Sequence, residues 1–115
     1  MSASDKYRIE SRIWISTETG MYLGKGRIQL LEEIDRLGSI AKAASSMEMS
    51  YKKAWKLLKS INEASKVPLL QKTIGGTGGG GTALTEEGLK VIQAFNKLET
   101  EHQRELEKRF KKYDF

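Results

Sequence analysis

The chain has 115 residues, 38% hydrophobic and 30% charged, with a formal net charge of +5, which gives one small soluble domain with a modest core. It contains no cysteine, so disulfides, zinc fingers and thiol catalysis are excluded, and no run approaches the ~18 apolar residues of a membrane span. The basic balance favours a polyanionic partner, and a cytoplasmic protein without membrane contact is expected.

Met1–Lys6 is short and polar and lacks the apolar stretch of a signal peptide. Tyr7–Ser16 alternates, with Tyr7, Ile9, Ile13 and Ile15 on one side and Arg8, Glu10 and Arg12 on the other. That spacing predicts a half-buried strand. Gly20 suits a turn, and Met21–Leu23 can return as a second strand. An N-terminal hairpin over 7–23 is therefore expected.

Residues 27–37 carry Ile28, Leu31, Ile34 and Leu37 at helical spacing, and Gly38 is placed to end that helix. Ser39 is a suitable N-cap for a short helix over 39–47, thin at Ala41, Ala43 and Ala44. Met47-Glu48-Met49 forms the next turn. Ser50 caps a helix over 50–62. On a 3.6-residue wheel, Ala54, Leu57, Leu58 and Ile61 share one side, with Tyr51 and Trp55 on its flank. Lys52, Lys56, Lys59 and Glu63 share the other, flanked by Lys53 and Ser60. One face can enter a core while the other presents lysines. Ser50, Tyr51, Lys52 and Lys53 stand at the amino-terminal end, the part of a recognition helix that reaches base edges. The pattern is that of a helix-turn-helix; an αα-hairpin with a solvated lysine face is the plainer alternative.

Leu69–Ile74 predicts a strand, Gly75–Gly81 a glycine tip, and Thr82-Ala83-Leu84 a returning strand. A hairpin over 69–84 just after a recognition helix is a wing; a flexible linker is the alternative. Gly76, Gly78 and Gly81 spell G-x-G-x-x-G, but no helix opens directly there and no βαβ unit follows, so a dinucleotide site is excluded. In a wing, backbone amides at Gly76, Thr77 and Gly78 can approach a phosphate backbone, with Lys72 beside them.

Thr85 caps a last helix whose first turn holds Glu86 and Glu87. Leu89, Ile92, Phe95, Leu98, His102, Leu106 and Phe110 form its apolar stripe. From Glu86 to Phe110 the helix spans roughly 37 Å, longer than the small domain beneath it. Phe95, Leu98, His102, Leu106 and Phe110 are therefore expected at a homodimer interface; a frayed charged tail from Glu101 onward is the alternative. One histidine without clustered carboxylates makes no metal site. No nucleophile–base pair and no paired acids occur, so neither an enzyme nor a cofactor is expected. Trp14, Trp55 and Phe95 read as core. The fold class is mainly α with small β hairpins: a winged helix-turn-helix over 1–84 and a long dimerisation helix over 85–115.

Three blocks carry a family resemblance: Gly38-Ser39-Ile40 with Ala43-Ala44; Met49-Ser50-Tyr51-Lys52-Lys53-Ala54-Trp55; and Gly75–Gly81 followed by Leu84-Thr85-Glu86-Glu87-Gly88. Together they resemble the N-terminal DNA-binding domain of ModE-type, molybdate-responsive transcriptional regulators, and the helix-turn-helix part is similar, more loosely, to LysR-type regulators. The resemblance implies a winged-helix homodimer on an operator, most simply an inverted repeat. It implies recognition-helix roles for Ser50, Tyr51, Lys52, Lys53 and Lys56 and a wing role for the glycine tip; Ser39, Lys42, Lys59 and Lys72 are further expected DNA contacts. The family's C-terminal pair of oxyanion-binding domains has no counterpart before Phe115, so a stand-alone form with an unknown effector is expected. A winged-helix protein-interaction module and a non-specific architectural DNA binder are the competing readings.

Overall fold

A computed structural model describes residues 6–74 and 81–115. The order is β1 (Trp14–Thr17), β2 (Gly20–Gly24), α1 (Lys25–Leu37), α2 (Ile40–Ser46), α3 (Tyr51–Ala64), β3 (Leu70–Lys72), β4 (Thr82–Leu84) and α4 (Glu86–Phe110). β1 pairs antiparallel with β2, and β3 with β4, as two separate two-stranded sheets.

Helix α1 is the centre. Its Ile28, Leu30, Leu31 and Ile34 are all buried, each worth about 1.5–3 kcal/mol on leaving water. Ala43 and Ala44 of α2 and Ala54, Leu58 and Ile61 of α3 complete the helical core, and Leu69, Leu84, Ile92 and Phe95 close it from the wing and α4. The alanines let α2 approach closely, as their size requires. Gly38 adopts φ 71°, in the left-handed region, and its N–H donates to the Ile34 carbonyl at 2.8 Å, ending α1. Ser39 and Ser50 are N-caps whose hydroxyls accept from the Lys42 and Lys53 amides. The turn between α2 and α3 holds Glu48 at φ 55°, a left-handed position filled here without glycine.

The wing is anchored at both ends. Thr82 N–H donates to the Gly38 carbonyl at 3.0 Å, and a Cβ at Gly81 would run into that same oxygen. Gly81 N–H donates to Thr73 Oγ1 at 2.8 Å. At the base, Asn62 Oδ1 accepts from Leu69 N–H at 2.8 Å. Thr85 Oγ1 donates to the Pro68 carbonyl and accepts from Gly88 N–H, capping α4. The strand pairing of Leu70–Lys72 with Thr82–Leu84 decides for a hairpin over a linker.

Three expectations need correction. The N-terminal strand begins at Trp14, not Tyr7: β2 has only five residues, so the alternating stretch 7–13 has no strand to pair with. It lies along α4 instead, where Gln103 Nε2 donates to the Ile9 carbonyl at 2.9 Å and Ser11 Oγ donates to Gln103 Oε1 at 3.1 Å. Trp14 and Trp55 are not core; they are 62% and 45% exposed, because one sits on the outer face of a lone hairpin and the other faces outward from α3. Phe95 is 2% exposed and packs inside its own core, so it offers no surface to a second copy.

The α4 stripe also runs differently. Gly88, Ile92 and Phe95 are buried, and the line continues through Glu99, Gln103, Leu106 and Phe110, which are half-buried. Leu98, 49% exposed, and His102 lie beside it and face outward. The N-terminal segment draws the buried line onto Gln103 rather than His102, because the Ile9 carbonyl and the Ser11 hydroxyl cover Gln103.

Candidate nucleic-acid interface

The outward face of α3 is built by what its inward face does. Ala54, Leu58 and Ile61 fix the helix on the core, so Lys52, Lys53 and Lys56 project outward and are exposed. Among the described residues none of the three pairs with a carboxylate. With Arg27, Leu57 and Ser60 they edge a groove of about 590 Å³. Arg27 Nη1 donates to the Met21 and Tyr22 carbonyls and, at 3.2 Å, to Ser60 Oγ. It thus ties β2 to α3 and adds a positive charge beside the lysine row. Periodicity gave no sign of Arg27, because Ser60, its partner on α3, is remote in sequence.

The other expected residues fall in three places. Ser39 and Ser50 use their oxygens as caps, which leaves each O–H able to donate to a phosphate. Tyr51, Lys42 and Lys72 are exposed around α3. Lys59 is engaged: its Nζ lies 5.3 Å from the Trp55 ring centre and 3.9 Å from a Glu63 carboxylate oxygen. Gly76, Thr77 and Gly78 lie outside the described residues.

Glu33 shows how the turn into α2 is held. Its carboxylate accepts from Arg36 and from Ser46 Oγ, linking α1 to the end of α2. These two hydrogen bonds, the Arg36 one foremost, hold the carboxyl below the usual carboxylate range, and the same pairing raises the Arg36 guanidinium. Among the described residues no cluster of three metal-ligating side chains occurs, and no helix is long and apolar enough to cross a membrane.

A tri-helical core, an outward basic third helix and a β-hairpin wing define a winged helix-turn-helix. Residues 26–89 match the family described as "Bacterial regulatory helix-turn-helix protein, lysR family", and the chain belongs to that family, a class of regulators rather than enzymes.

Within it, the chain is similar to the ModE proteins, as its motifs indicate. It is 39% identical over 101 residues to the molybdenum transport protein ModE of Azotobacter vinelandii, covering 88% of this chain and 37% of that protein. It is 39% identical over 90 residues to the transcriptional regulator ModE of Haemophilus influenzae, covering 78% and 35%. It is 34% identical over 89 residues to the DNA-binding transcriptional dual regulator ModE of Escherichia coli K12, covering 77% and 34%. The chain thus spans about a third of the length of these curated relatives.

Proposed function

We propose that this chain binds operator DNA in a sequence-specific manner and regulates transcription, acting as a homodimer joined through α4. The observation that carries the reading is the row of Lys52, Lys53 and Lys56, exposed on a helix whose opposite face is locked into the core. Three ammonium groups that meet no carboxylate among the described residues suit phosphates and base edges, and Lys42 and Lys72 extend the positive surface to either side. Similarity to proteins named as transcriptional regulators supports the same reading. Residues 1–84 serve as the DNA-binding unit and 85–115 as the dimerisation helix.

A salt titration with fluorescently labelled duplex tests it. Affinity should fall log-linearly with salt, and an enriched site should retain its advantage over random duplex. Lys56→Ala should weaken all sequences alike and reduce the salt slope by roughly one. Lys52→Ala or Lys53→Ala should relax preference at one base pair, at about 1–3 kcal/mol. No binding at low salt would leave a protein-interaction module; binding without any site preference would leave an architectural role.

A further inference from the structure

We propose that Trp55 reads thymine through its 5-methyl group, an inference that rests on the DNA-binding role of α3. Tyr51 and Trp55 stand four residues apart, on one side of the helix, and are 55% and 45% exposed. Both belong to the first half of α3, the part of a recognition helix that meets base edges. Lys59 lies over the indole at 5.3 Å, a cation–π contact that holds the ring outside the core. Trp55 also lines a groove of about 480 Å³ between α3 and the wing, which Lys72 and Thr82 share.

The occupant follows from the chemistry of that face. Large exposed aromatics on a protein surface mark contact sites, and Lys52 and Lys56 beside this pair, which meet no carboxylate among the described residues, call for a polyanion rather than an ordinary protein surface. In the major groove the C5-methyl of thymine is the one apolar group that stands out from a base edge, since cytosine carries only a hydrogen at that carbon. An indole carried into the groove by α3 has that methyl as its apolar counterpart. Tyr51, with a hydroxyl at its tip, can also hydrogen-bond to a polar edge; the indole cannot accept, and its one N–H is its only donor.

The test uses a duplex enriched from a random library by the wild-type chain, resynthesised with each thymine replaced in turn by deoxyuridine, which removes the methyl alone. At one thymine or more, wild-type affinity should drop about fourfold, the effect of one buried methyl-sized group. Trp55→Ala should bind the thymine and deoxyuridine forms of that duplex equally, while the response at other positions is kept. Its melting temperature should stay close to wild type, since the ring is half in solvent. A duplex whose affinity is indifferent to every deoxyuridine swap overturns the proposal, and this arm needs no variant. So does a Trp55→Ala profile that matches wild type at every thymine. A loss of self-association in Trp55→Ala would assign the ring to contact between copies instead. Failure to enrich any duplex would remove the DNA-binding reading itself, a result distinct from enrichment without methyl dependence.

Discussion

Glu33 couples the first two helices to pH. Its folded pKa is depressed, so the stabilisation it gives is fully present above the ordinary carboxylate value, about 4.3. It is lost as pH falls through Glu33's own lower value, because the unfolded chain then takes up the proton first. Glu33→Gln should therefore melt earlier than wild type at neutral pH, and the gap should narrow as the solution is acidified below about 4.3. Thermal melts at a series of pH values measure this; a gap that stays constant into acid would mean that the carboxylate charge contributes nothing to the α1–α2 tie. The contact is specific because Arg36 and Ser46 approach from two different helices.

Gly88 shows what seats the long helix. A Cβ there would meet the Leu69 carbonyl oxygen and crowd Leu84, so α4 enters against the wing backbone without a side chain between them. Gly88→Ala should destabilise by about 1–3 kcal/mol through overpacking, partly offset by about 1 kcal/mol of better helix propensity. Differential scanning calorimetry should then show a lower melting temperature, and a variant as stable as wild type would mean that the helix end slides freely over β3. The capped starts of α2, α3 and α4 were legible because a cap is local: Ser39, Ser50 and Thr85 each bond an amide three residues on. The lysine face of α3 was legible for the same reason, as helical spacing alone sorts the lysines from Ala54, Leu58 and Ile61. What failed depended on partners remote in sequence. Alternation in 7–13 implied a strand, but a strand needs a neighbour, and Gln103 took its place. Trp55 was assigned inward on hydrophobicity, while the small Ala54 takes the inward position beside it. Nothing near Arg27 in the sequence signals Ser60 as its partner.

The molecule is elongated, 58 × 30 × 23 Å with a radius of gyration of 17.7 Å, against about 13 Å for a compact chain of this length. The excess comes from α4, which beyond Phe95 has no fully buried residue and rests on the 7–13 segment. Leu98 and His102 are exposed there, and Phe110 stacks on Phe115 at 5.6 Å. Sedimentation at micromolar concentration should give twice the chain mass, and Leu98→Asp with Leu106→Asp should yield a folded monomer that binds an inverted repeat far more weakly. A wild-type chain that stays monomeric both free and on DNA would remove the dimer. The junction between wing and long helix then acquires a mechanical meaning. Only Thr85 separates β4 from α4, and its hydroxyl is fastened to Pro68 and Gly88, so no slack exists between α4 and the helix-turn-helix unit. In the proposed dimer the two arms form a stiff caliper. Its opening is fixed by protein packing, while the duplex repeats every 34–36 Å or about 10 base pairs. Half-sites in phase with that repeat meet both arms on one side of the duplex, and half-sites displaced by half a turn face away from one of them. The protein would then select operators by the length between their halves as strictly as by the bases within them.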